Sequence, residues 1–136
     1  MKLLIFYVDK FAFETNKKGL ESAEEIEIKN SIENAVIGFI HVEEKDEENQ
    51  NYVETKLVKN LKWAARKNET NKIVLHSFNH LSNSSANPEF TLQIFNNVEE
   101  RLKSSEYETS QTPFGYFLNI EMHAPGKPLA RIFKEF

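Results

Sequence analysis

The chain has 136 residues, 40% of them apolar and 28% charged, with a formal net charge of −4 at pH 7, the scale of one ordinary domain with one core. It has no cysteine, which excludes disulfides, thiolate metal sites and a cysteine nucleophile, and no apolar run near the ~18 residues of a membrane-crossing helix. A negative balance is not the footprint of a protein that grips long nucleic acid by its phosphates, yet it leaves room for one that holds only an RNA end.

Residues 3–8 are an unbroken apolar run with aromatic and β-branched members, which predicts a strand buried on both faces. Such a strand needs cover on both sides, and a homodimer is one way to supply it. The run lacks the basic lead and small-residue cleavage site of a signal peptide, so the expected compartment is the cytoplasm, with no membrane partner. Phe11 and Phe13 alternate with Ala12 and Glu14 and suit a second, half-exposed strand. Residues 15–31 are polar, with Lys17-Lys18-Gly19 as a turn signal and a short edge strand expected over 25–29, where Ile26 and Ile28 alternate with charges. A strand over 35–42 follows, and Gly38 inside it signals a bulge or a close backbone approach. The acidic run 43–48 reads as a solvated loop and helix start. It has no turn glycine of the kind a calcium loop needs.

Residues 51–67 predict a helix with Val53, Leu57, Leu61 and Ala64 on one face and lysines on the others. Residues 73–75 are a short buried strand. Asn87-Pro88-Glu89 is a helix start: a cap, a first-turn proline and an acid at the positive end of the dipole. That helix runs to about 103 on the stripe Ile94, Phe95, Val98 and Leu102. After a turn at 113–115, residues 117–123 alternate as a strand with Leu118, Ile120 and Met122 on one face. Pro125-Gly126 suggests a hairpin turn into a last strand over 129–136. The sum is an α+β domain, 1–136, with two principal helices on a mainly antiparallel sheet.

Serine-hydrolase elbows, phosphate-binding glycine loops and zinc-protease motifs are missing. Two polar constellations remain. One is 76–85, His76-Ser77-Phe78-Asn79-His80-Leu81-Ser82-Asn83-Ser84-Ser85, directly after a strand, where small-molecule sites tend to lie. Its two histidines have metal-ligand spacing only if helical, and no third ligand is visible, so no metal and no cofactor are expected. A neutral histidine there can orient water; the plainer reading is that these serines and asparagines satisfy loop backbone groups. The other is 113–117, Pro113-Phe114-Gly115-Tyr116-Phe117, where glycine beside aromatics can turn backbone amides and rings toward a ligand, or simply start a strand.

Taken in order, several segments resemble the N-terminal editing domain of archaeal threonyl-tRNA synthetases. They are Leu3-Leu4-Ile5 with Asp9; Gly38-Phe39-Ile40-His41-Val42-Glu43; His80-Leu81-Ser82-Asn83; Thr112-Pro113-Phe114-Gly115-Tyr116; and Gly126-Lys127-Pro128-Leu129-Ala130-Arg131. No block is diagnostic alone, but their collinearity along the whole chain is. The resemblance implies a fold like that of D-aminoacyl-tRNA deacylases, a dimer, and a pocket for the 3′-terminal aminoacyl-adenosine of tRNA. It also implies hydrolysis of serine wrongly attached to threonine tRNA, by a domain fused to a threonyl-tRNA synthetase or acting with one. By the same resemblance His80 is the catalytic residue. Val42, Asn79, Phe114, Gly115, Tyr116, Phe117 and Arg131 would surround the substrate.

Three positions depart from the family pattern. Leu118 stands where the family has a lysine, Phe117 where it has a tyrosine, and Arg131 where it has a glutamate. A carboxylate suits the α-ammonium of an aminoacyl ester, whereas a guanidinium beside it repels it. Weak or absent serine-specific deacylation is therefore an expectation, unless Arg131 turns outward or Glu121 supplies the missing negative charge from a neighbouring strand. The alternative is a non-catalytic homologue that binds an RNA 3′ end or a nucleotide through Arg131 and Lys127. A structural dimerisation module is a third reading.

Overall fold

The computed structural model describes residues 1–136. Its elements are β1 (Lys2–Lys18), β2 (Lys29–His41), α1 (Gln50–Lys67), β3 (Lys72–Ser77), α2 (Pro88–Ser104), β4 (Glu108–Gln111), β5 (Tyr116–His123) and β6 (Arg131–Glu135), with 3-10 turns at Glu44–Glu48 and Pro128–Ala130. The six strands form one sheet in the order β4-β3-β2-β1-β5, with β6 also on β1. β1 pairs antiparallel with β2, β5 and β6, while β2-β3 and β3-β4 are parallel. The parallel pairs follow from connectivity. Each is bridged by a helix, and only a crossover of that length returns a strand in the same direction. The α+β class with two helices is as expected, on a mixed sheet in which antiparallel pairings predominate.

Four local expectations are corrected. Residues 3–8 and 11–13 belong to one strand, because both halves pair with β2 in one continuous register, while the face turned to the second cluster passes from the even positions 4, 6 and 8 to the odd positions 11 and 13 across the exposed Asp9 and Lys10. No strand forms over 25–29. That segment instead crosses beside β1, with the Thr15 N–H donating to the Ile28 carbonyl at 2.9 Å, and the polar residues from Lys29 onward lead directly into β2. β4, Glu-Thr-Ser-Gln, has no apolar pattern and was not foreseen; it is a strand because β3 offers it a partner edge. Pro125-Gly126 is no hairpin turn. β5 and β6 lie end to end along the same edge of β1, β5 on its C-terminal half and β6 on its N-terminal half, and residues 124–130 bulge out between them.

Both helices pack on one face of the sheet. Val53, Leu57, Leu61 and Ala64 of α1 and Ile94, Phe95, Val98 and Leu102 of α2 meet Leu3, Ile5, Val36, Ile40, Ile73 and Leu75 in one buried cluster. Gly38 marks a close approach rather than a bulge: a Cβ there would lie 3.0 Å from Leu61 Cδ2, and its pairing with Ile5 is in register. The opposite face carries a second cluster of Val8, Phe11, Phe13, Ala35, Ile37, Phe39 and Val74, flanked by Phe78, Leu118 and Met122. The acidic run is only partly solvated. Glu43 and Asp46 are buried, and the Met1 ammonium donates to Glu43 Oε1 at 2.8 Å and to Asp46 Oδ1 at 3.1 Å. No helix is long and apolar enough to cross a membrane.

Candidate functional site

Where β3 ends at Ser77, the chain leaves the sheet beside the end of β2, with the Phe78 N–H donating to the Ile40 carbonyl at 2.9 Å. The loop that follows, 78–87, is laid over that end of β2 and held by side chains. His41, fully buried, accepts the Leu81 N–H at Nδ1 (3.0 Å) and donates from Nε2 to the Ser84 carbonyl (2.7 Å). The Ser82 hydroxyl donates to Glu43 Oε2 at 2.7 Å, and the Glu44 N–H donates to Ser84 Oγ at 3.0 Å. The Ala86 N–H donates to the Val42 carbonyl at 3.0 Å, after which Asn87 caps α2 by accepting the Phe90 N–H at 2.8 Å. Burial by itself pushes the Glu43 carboxyl up. The hydrogen bonds from the Met1 ammonium and Ser82, with the positive charges of Met1 and Lys2, outweigh it and hold Glu43 below the usual carboxylate range.

The facing wall is built from residues 19–28 and the start of β5. Gly115 is at φ +84, the left-handed region that glycine occupies without cost. A Cβ there would come within 2.9 Å of Ala23 Cβ. Its carbonyl accepts the N–H groups of Gly19 (2.7 Å) and Leu20 (3.2 Å). The Tyr116 hydroxyl donates to the Glu24 carbonyl at 2.5 Å and accepts the Ile26 N–H at 3.2 Å.

Between the two walls is a cavity of about 310 Å³, lined by both loops, the end of β3, the start of α2 and the start of β5. An aromatic ladder climbs it. Phe39 meets His76 edge-on at 5.0 Å between ring centroids; His76 and Phe78 are 6.0 Å apart, Phe78 and His80 4.8 Å, and His80 and Phe117 6.3 Å. His76 is buried at the floor, whereas His80 is exposed at the rim and Phe117 is 54% exposed. Burial, with the nearby His80 charge, pushes the His76 imidazole down to about 4. The backbone N–H groups of Asn79, Phe114 and Gly115 make no hydrogen bond within the protein.

Of the residues expected at the site, His80, Asn79, Phe114, Gly115, Tyr116 and Phe117 come together in this cavity, and Leu118 joins them. Val42 does not line it: its side chain is in the helix-side core, and its carbonyl accepts the Ala86 N–H of the loop. Arg131 does not line it either. It sits on β6 opposite Phe6, and its guanidinium donates to the Ala124 and Pro125 carbonyls, each at 3.3 Å. The bulge at 124–130 is what carries β6 onto the N-terminal half of β1, away from the cavity. The Tyr116 hydroxyl is occupied by the 19–28 loop. Sequence reasoning did not single out His41, Thr112 or Thr91. No group of three or more His, Asp or Glu side chains is placed to hold a metal.

Comparison with known proteins adds to this geometry. The model of the archaea-specific editing domain of threonyl-tRNA synthetase matches residues 1–136. The threonine–tRNA ligases of Thermococcus gammatolerans and Thermococcus kodakarensis are 31% and 30% identical to the chain over 135 residues, which is 97% of this chain and 22% of each ligase. The chain thus spans about a fifth of the length of the curated relatives it matches. Among solved structures, the c-Myc DNA unwinding element binding protein superposes on 100% of this chain and 99% of its own, with a TM-score of 0.65 at 14% identity. That likeness is one of fold, the D-aminoacyl-tRNA deacylase-like fold.

Proposed function

The chain belongs to the archaea-specific family of threonyl-tRNA synthetase editing domains, and from that premise we propose that its cavity hydrolyses the seryl ester of threonine tRNA. Serine lacks one methyl group of threonine, so a synthesis site gains only ~1–3 kcal/mol of discrimination, and a second site must destroy the smaller product. The observation that carries the reading is the grouping of His80, Asn79 and the 114–117 segment around one cavity. The terminal adenine stacks on the exposed Phe117 ring, which tolerates any base face. His80, at the rim, orients the attacking water. The unpaired N–H groups of Asn79 and Gly115 receive the oxyanion as the ester carbonyl becomes tetrahedral. Water supplies the acyl hydroxyl, and the ribose oxygen leaves with a proton.

Arg131 is engaged by two carbonyls away from the cavity, so the substrate ammonium does not meet a guanidinium and the electrostatic objection to serine loses its force. The ester is intrinsically reactive and the ribose 2′-hydroxyl is adjacent to it, which is why a lysine at 118 is dispensable in this reading. The reading carries two partners, a second copy of the chain and a synthetase module in the same or a neighbouring chain, and a cytoplasmic setting.

The test is deacylation of seryl-tRNA for threonine. Turnover above the spontaneous rate is expected, falling by roughly 10²-fold in His80→Ala. A wild-type rate equal to buffer alone rejects hydrolysis. Leu118 and Phe117 do place apolar surface where the family carries a lysine and a tyrosine, which favours a second reading: a non-catalytic binder of an RNA 3′ end. Tight binding of uncharged tRNA without deacylation identifies that case.

A further inference from the structure

The cavity floor holds an imidazole that the hydrolysis above does not use. His76 Nδ1 lies 2.9 Å from Thr112 Oγ1, and both residues are buried. Thr112 Oγ1 has no other hydrogen-bond partner, so the only acceptor for its proton is His76 Nδ1. If Nδ1 carried the proton, the threonine hydrogen would be left unmet in a buried place, which native structures avoid. The bond therefore runs from the Thr112 hydroxyl to Nδ1, and the ring proton is on Nε2. Nε2 makes no bond within the protein, and the chain contains no fully buried side-chain nitrogen without a partner. His76 lines the cavity, so Nε2 opens onto it. The ring is fixed by Phe39 at 5.0 Å, Phe78 at 6.0 Å and Phe11 at 6.4 Å. Its burial keeps it neutral at ordinary pH, and His80 is the titratable group that acts on it.

A neutral, immobile N–H donor at an aromatic floor takes an oxygen acceptor. If the ester carbon sits at the rim by His80 and the free N–H groups, and the adenosine lies outside on Phe117, what extends inward is the amino-acid side chain. We propose that His76 is a specificity residue of this cavity, whose Nε2–H donates to the side-chain hydroxyl oxygen of the bound aminoacyl group and so selects hydroxy-amino-acid esters over the isosteric alanyl ester. A site that hydrogen-bonds a substrate hydroxyl rejects the analogue lacking it, because its own donor is then left unpaired. The inference rests on the editing reading for the identity of the ligand, but its test does not require turnover.

The experiment is calorimetric binding of two hydrolysis-resistant analogues, 3′-seryl-amino- and 3′-alanyl-amino-3′-deoxyadenosine, to wild type, His76→Phe and Thr112→Val, together with the ¹⁵N spectrum of the imidazoles. Wild type is expected to favour the seryl analogue about tenfold, the yield of one added neutral hydrogen bond. His76→Phe binds the two equally, and Thr112→Val, which only frees the tautomer, gives an intermediate ratio. The wild-type His76 resonances report a proton on Nε2. Equal binding of the two analogues by wild type, binding of neither, an unchanged preference in His76→Phe, or a proton on Nδ1 each overturns the proposal. If His76→Phe does not fold, Thr112→Val and the spectrum still decide it. A seryl preference without deacylation of seryl-tRNA removes the hydrolysis reading and leaves this one standing; equal deacylation of seryl- and alanyl-tRNA does the reverse.

Discussion

The two walls of the cavity are built on different principles. The 78–87 wall is pinned by two buried side chains distant in sequence, His41 and Glu43, the second accepting from the wall's own half-buried Ser82. The 19–28 wall hangs mostly on exposed or half-buried bonds: the Gly115 carbonyl, the Tyr116 hydroxyl, the Thr15 backbone and hydroxyl at Ile28, and a Lys18–Glu25 ion pair. A satisfied buried polar network fixes geometry, whereas a segment with few buried apolar contacts and exposed backbone bonds opens at low cost. Of the groups proposed for chemistry, Asn79 and His80 sit on the pinned wall, and the Gly115 N–H sits where the compliant wall is anchored. That division suits a site in which the catalytic side must be preorganised while a bulky RNA end enters and leaves.

The strongest way to break the contrast is His41→Ala. It strands the Leu81 N–H and the Ser84 carbonyl and empties a fully buried site, at a cost of about 4 kcal/mol from two unmet groups and a cavity. Urea denaturation checks the stability, and hydrogen exchange should show 78–87 losing protection before 19–28. Loss of exchange protection in both loops together would mean that the walls are one unit.

Acid separates the floor from the pinned wall. The folded-state value of His76 lies below its unfolded value, near 4 against 6.5, so the unfolded state binds the proton first. Stability is full above pH 6.5 and falls between pH 6.5 and 4 by about 3 kcal/mol. His76→Gln should flatten that window. Glu43, whose value is lowered, contributes above the ordinary glutamate range and loses its contribution as pH falls through and below that range. Denaturant midpoints across pH 3–8 resolve the two steps, and a wild-type curve flat between pH 6.5 and 4 contradicts the buried neutral imidazole.

What the sequence disclosed and concealed divides along similar lines. The helices, β3 and the 117–123 alternation were legible because their apolar periods are local, and the Asn87-Pro88 start because a cap is a local device. The meeting of 76–80 with 113–117 was legible only through resemblance, since nothing in either segment names the other. β4 was not legible: Glu108 to Gln111 is polar, and only the edge of β3 makes it a strand. Arg131 was misplaced because the bulge before β6 depends on how two strands share one edge of β1. Glu43 and Asp46 looked like solvated acids because their partner is the Met1 ammonium, more than 40 residues away in the chain. His76 looked like loop filler because its significance depends on Thr112, 36 residues away.

The compliant wall offers two smaller perturbations. Gly115→Ala forces a side chain into the left-handed region at φ +84 and onto Ala23 at 2.9 Å, at a cost of about 1–2 kcal/mol. Because Ala23 is on the 19–28 loop, the loop is expected to give way rather than the sheet. Limited proteolysis within 19–28 should rise several-fold while the unfolding midpoint shifts only modestly; cutting first in 78–87 would reverse the assignment of the two walls.

The gentlest change is Tyr116→Phe. The ring stays in the cavity lining, so any ligand contact made by its face survives. What disappears is the pair of bonds from the hydroxyl to the Glu24 carbonyl and the Ile26 N–H, worth about 1 kcal/mol because both backbone groups regain water when the loop lifts. On the proposal that this loop covers the ligand, KM for seryl-tRNA deacylation should rise about fivefold with kcat nearly unchanged, the pattern of lost uniform binding. Hydrogen exchange over 19–28 should quicken by a similar factor and leave Leu81 and Ser84 untouched. A fall in kcat with KM constant would place the tyrosine hydroxyl at the reacting atoms. The 19–28 wall would then belong to the chemistry, and the division between a fixed catalytic wall and a yielding cover would have to be abandoned.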